Sequence, residues 1–92
     1  MRFNPIKGIG VPYKRQVKIY GDCLNYHTLP EKERAKIDRL CKEVCAGDAE
    51  MEAALKELLT TDGNLEAIAL RHYVTRSVLS RRRAKFYKRF HP

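Results

Sequence analysis

Four side chains of metal-ligating type fall in two matched pairs, Cys23-x3-His27 and Cys41-x3-Cys45. Cysteine thiolates and histidine imidazoles are the usual ligands of structural zinc. The spacing argues against a zinc site, because it is not one of the tight knuckles of the common zinc modules. Cys41 and Cys45 also extend the apolar series Ile37, Leu40 and Val44, and free cysteine is commonly a small core residue. A Cys–His nucleophile would need an orienting group and an oxyanion site, and no motif supplies either. His72 falls at the edge of an apolar pattern and reads as a packed histidine, while His91 belongs to the tail. Gly8 and Gly10 are too isolated to form a phosphate-cradling loop. The expectation is a protein without catalytic residues, metal or cofactor, and not an enzyme.

The cationic side chains carry a stronger signal. The chain has 19 Lys and Arg against 11 Asp and Glu, a formal charge of +8. That charge is uneven. Arg2, Lys7, Lys14, Arg15 and Lys18 occupy residues 1–20, which hold no acid. Arg71, Arg76, Arg81, Arg82, Arg83, Lys85, Lys88 and Arg89 occupy residues 71–92, again with no acid. Every carboxylate side chain lies between them, in residues 21–70. Positive charge concentrated at both ends of a small domain suits a polyanion, with nucleic acid ahead of an anionic membrane. No run approaches the roughly 18 apolar residues of a membrane span. Residues 1–10 lack the apolar stretch of a secretory signal. Three cysteines, an odd number, fit a reducing compartment, so a cytoplasmic location is expected.

These residues must be held by a scaffold of 92 residues, enough for one modest core. The expected fold is all-α, with four to five short helices. Residues 1–11 contain Pro5, Gly8 and Gly10 and no helical period, and read as a basic arm; residues 12–92 form the single domain. Pro12 can open a first helix, with Tyr13, Val17, Tyr20 and Leu24 as its apolar stripe; alternation over Gln16–Tyr20 also admits a short strand. Thr28 and Glu31 have capping-box spacing. Ile37, Leu40, Cys41, Val44 and Cys45 then line a second helix, ended by Ala46-Gly47. Asp48 can cap a third, which buries Met51, Ala54, Leu55, Leu58 and Leu59. Asn64 can cap a short fourth helix with Leu65, Ile68 and Ala69 inside, and Thr75 a basic fifth with Leu79, Phe86 and Phe90 inside.

Two short helices about three residues apart, the second basic, form a helix-turn-helix pattern. Residues 64–90 resemble the helix-turn-helix of bacterial and phage DNA-binding regulators, including the promoter-reading region of sigma factors. Ile68-Ala69 is similar to the pair in the first helix of that motif, Val74 to its apolar turn residue, and Thr75-Arg76-Ser77 to the entry of its recognition helix. Leu79 is similar to the residue that docks the second helix on the first, and Leu29-Pro30-Glu31-Lys32-Glu33-Arg34 to the start of the helical support in sigma-like domains. In style the chain resembles small phage or mobile-element regulators of the ArpU or RinA kind. It departs from the pattern at Tyr73, where glycine is usual, and at Arg82, where a third apolar anchor is common.

The resemblance implies sequence-specific binding of double-stranded DNA and transcriptional regulation. Thr75, Arg76, Ser77, Ser80 and Arg81 fall at the entry of the second helix, the end that meets base edges. Arg76 and Arg81 are the expected base readers, since arginine can bridge guanine O6 and N7. Arg82, Arg83, Lys85, Lys88 and Arg89 are expected on phosphates, where contacts position without specifying. The basic arm can reach a neighbouring groove or backbone, or stay disordered. A second copy of the chain and RNA polymerase are the protein partners such a regulator brings into view. A DNA-packaging or recombination accessory protein, an RNA-binding module and a helical protein-interaction domain are the alternatives.

Overall fold

A computed structural model describes residues 3–91. Among these residues five α-helices follow one another: α1 (Tyr13–Leu24), α2 (Glu31–Val44), α3 (Ala49–Thr60), α4 (Leu65–Arg71) and α5 (Arg76–Arg89), with a 3-10 turn, Tyr26–Thr28, between α1 and α2. There is no strand among the described residues, so Gln16–Tyr20 is helical. α3 lies at the centre and packs against α1, α2, α4 and α5, while α5 also packs on α2 and α4.

The apolar periods of α2, α3, α4 and α5 meet in one core, with Ile37, Leu55, Ile68, Leu79 and Phe86 inaccessible to solvent. α1 is rotated from the expected stripe. Its buried residues are Gln16, Ile19 and Cys23, whereas Tyr13 is 60% exposed and Val17 is exposed. The cause is the polar chemistry of the two faces. A buried amide needs its hydrogen bonds satisfied, and Gln16 obtains three: Oε1 accepts from Ile6 N at 2.8 Å, and Nε2 donates to Ile6 O at 3.2 Å and Val11 O at 2.9 Å. Tyrosine keeps its hydroxyl at a wet edge, and Tyr20 donates there to Asp62 Oδ1 at 2.8 Å.

The Gln16 bonds also decide the fate of residues 3–11. Phe3, Ile6 and Ile9 pack against the core, so this segment is docked and not the free arm that its charge suggests. Arg2 of that expected arm lies outside the described residues.

Helix ends follow local chemistry, with two corrections. Thr28 does not cap α2; its hydroxyl donates back to Asn25 O at 2.8 Å, and Pro30 is the cap residue. A residue before proline is pushed out of the helical region, and Leu29 is extended at φ −73°, ψ 152°, so the helix cannot begin as early as Thr28 requires. Thr75 occupies the cap position of α5 but makes no side-chain cap bond. Asp48 and Asn64 cap as expected, accepting from Met51 N and Ala67 N at 3.1 Å each. α2 stops where Ala46 and Gly47 turn left-handed, at φ 51° and 86°, the usual helix-ending conformation.

Polar bonds close the remaining seams. The Tyr26 hydroxyl donates to the Asp38 carboxylate at 2.8 Å, and Lys56 Nζ stands 2.9 Å from Asp38 Oδ1 and 4.6 Å over the Tyr26 ring. This joins the 3-10 turn, α2 and α3. At the far end of α5, Arg15 Nη2 donates to Phe90 O at 2.9 Å and Lys88 O at 3.1 Å, and Lys36 Nζ donates to His91 O.

Candidate nucleic-acid interface

α4 and α5 are joined by His72–Thr75, a tight turn. Tyr73 N donates to Leu70 O at 3.2 Å and Val74 N to Ala69 O at 3.0 Å. Tyr73 sits at φ 55°, a left-handed conformation that costs a non-glycine residue about 1 kcal/mol. Its ring gains no packing in return, being 95% exposed. The turn therefore has the geometry that glycine normally serves, imposed here on tyrosine. Val74 packs against the core beneath it.

His72 anchors the turn to α3. Its Nε2 lies 2.7 Å from Glu57 Oε1, and Arg71 pairs with Glu57 Oε2. The His72 hydrogen bond, followed by the Arg71 charge, holds the Glu57 carboxyl below its ordinary range.

α5 turns different faces to the core and to solvent. Leu79, Phe86 and Phe90 face inward as expected, joined by Tyr87, which the apolar spacing alone did not single out. One turn apart on the opposite face are Ser77, Arg81, Lys85 and Lys88. Arg81, Ala84, Lys85, Lys88 and Arg89 line one shallow surface depression, with no carboxylate among them.

The remaining expected contact residues divide. Thr75 is exposed and Ser80 half-buried. Arg76 is exposed and pairs with Glu66 at 2.9 Å; both side chains are largely solvated, so the pair is worth about 0–1 kcal/mol and is cheap to break. Arg82 is half-buried, with its Nε shielded and unpartnered. Arg83 departs from the expected phosphate role. It lies on the inward side of α5, lining a cavity with Tyr87, Phe3 and Tyr20. Burial lowers the pKa of its guanidinium. Arg15 and Lys36, which add to the formal charge, are committed to the carbonyls that end α5.

The cysteines are core residues. Cys23, Cys41 and Cys45 are all buried and unbridged. Burial pushes the Cys23 thiol up to about 12, with Asp22 adding to it, and also raises Cys41 and Cys45. His27 is exposed. Among the described residues, no three His, Cys, Asp or Glu side chains are grouped to hold a metal ion. Likewise, no helix among the described residues is long and apolar enough to cross a membrane.

No protein-family model, no curated protein and no solved structure matches the chain.

Proposed function

We propose that the protein binds double-stranded DNA, with α4 and α5 acting as a helix-turn-helix and α5 entering the major groove. The observation that carries this reading is the outward stripe of α5, where Arg81, Lys85, Lys88 and Arg89 line one depression that contains no carboxylate. A major groove admits an α-helix, and a helix presenting cations on one side while its other side anchors in a core is suited to that entry. The left-handed turn at Tyr73 and the docking of Leu79 support the same reading. Arg81 is the leading base reader, and Arg76 joins it by releasing Glu66. Lys85, Lys88 and Arg89 take phosphates. Transcriptional regulation in a bacterium, phage or mobile element is the biological role this implies.

RNA is the weaker polyanion here, because the major groove of an A-form helix is too narrow for side chains to read. A protein-interaction role draws on a different observation: Leu70 is 78% exposed beside the exposed Tyr73. Selection of binding sites from random duplexes, followed by competition with hairpin RNA, separates these readings. Enrichment of a duplex motif resistant to RNA competition supports the proposal. Absence of enrichment, or preference for the hairpin, overturns it.

A further inference from the structure

We propose that the cavity between the N-terminal segment and α5 binds a small organic carboxylate, its anionic end on Arg83 and its flat apolar body among Phe3, Tyr20 and Tyr87. The cavity measures about 240 Å³ and is walled by residues from four places in the chain: Phe3, Asn4 and Ile6, then Tyr20 of α1, the end of α3 with the turn that follows it, and Arg83 and Tyr87 of α5. Arg83 is the cation of this lining, and the Asp62 carboxylate on the same lining is engaged by the Tyr20 hydroxyl. Arg83 makes no salt bridge or hydrogen bond among the described residues, and its Nε is shielded from solvent. Arg83 is half-buried; shielding part of a guanidinium without a partner disfavours its charged form, and burial accordingly lowers its pKa. A carboxylate relieves this, because the planar guanidinium fork matches that anion with two parallel bonds.

The other walls select the body of the ligand. Phe3 lies 4.8 Å from the Tyr20 ring and 6.4 Å from the Tyr87 ring, parallel to the latter within 3°. At these separations the three rings already pack on one another, and together they give the cavity an aromatic wall against which a flat group can lie. Asp62 is already the acceptor of the Tyr20 hydroxyl and puts negative charge on one side of the cavity, so the ligand's anionic end must lie on the Arg83 side, away from it. A monoanion with one flat apolar ring fits both conditions. The cavity lies on the inward side of α5, so the site stands or falls independently of DNA binding by the outward stripe.

The test uses the full chain with benzoate as probe and benzamide, its neutral isostere, as control, at matched ionic strength. A ligand that binds only the folded state raises the unfolding temperature in a saturable way. The expected result is such a rise with benzoate and a much smaller one with benzamide. Ring resonances of Phe3, Tyr20 and Tyr87 should shift along the same titration curve. Arg83→Gln should weaken benzoate binding by about tenfold or more, and Arg83→Lys, which keeps the charge but loses the fork, by less. No saturable effect, equal effects of benzoate and benzamide, or an undiminished effect in Arg83→Gln would overturn the proposal. So would resonance shifts confined to Arg81, Lys85 and Lys88.

Discussion

Arg15 closes the end of the helix that Phe90 terminates. Its Nη2 donates to Phe90 O at 2.9 Å and to Lys88 O at 3.1 Å, across 75 and 73 residues of chain. The last carbonyls of a helix lack intrahelical partners, and a cation there also meets the negative end of the helix dipole. One side chain of α1 thereby fixes α5 from outside the core. Arg15→Ala should lower unfolding free energy by about 1–2 kcal/mol, read by urea denaturation. It should also speed amide exchange in the last turn of α5. Unchanged stability and exchange would remove the clamp.

Leu79 is the deepest contact of α5 near its start, with no exposed surface. Leu79→Ala should cost roughly 2–5 kcal/mol by cavity formation. Unchanged unfolding would place this residue on the outer face and rotate the helix.

Tyr73 bears backbone strain without compensating burial. Tyr73→Gly relieves the left-handed penalty but adds freedom to the unfolded chain. The expected outcome is a neutral to stabilising change, by at most about 1 kcal/mol. Tyr73→Val should destabilise, since a β-branched residue is a poor occupant of this region. Equal losses in both variants would contradict the assigned turn.

The Glu57–His72 contact predicts a pH dependence with a definite sign. The folded-state pKa of Glu57 is lowered, so its contribution is present above the unfolded carboxyl range and lost as pH falls through the folded value. The stability difference between the wild type and Glu57→Gln should persist at pH 7 and shrink on acidification below the ordinary glutamate pKa of about 4.3. A difference that grows on acidification would contradict the assignment.

The helices α2 to α5 were legible because their apolar residues recur at helical spacing and their buried faces are made of hydrocarbon. The buried face of α1 has a polar origin. Gln16 is buried because the backbone of Ile6 and Val11 satisfies it, and no hydropathy pattern along α1 contains that information. Arg15, Lys36 and Arg83 were misleading for the same reason: a cation counts equally in a charge sum whether it faces solvent, a helix end or a cavity. Thr28 and Glu31 had the right spacing for a capping box, yet the restriction that Pro30 places on Leu29 displaced the helix start.

If the outward cations of α5 hold duplex DNA, the salt dependence of duplex affinity reports it most directly. Each phosphate contact releases counterions and contributes about −0.9 to the log–log slope. Joint replacement of Lys85, Lys88 and Arg89 by glutamine should therefore flatten the slope by roughly one unit per true contact while sequence preference persists. Arg81→Ala should instead lose discrimination, and Arg83→Gln should leave the slope nearly unchanged, because Arg83 faces the cavity. A slope near zero in the wild type, or one that the triple replacement does not alter, would contradict DNA binding by this face.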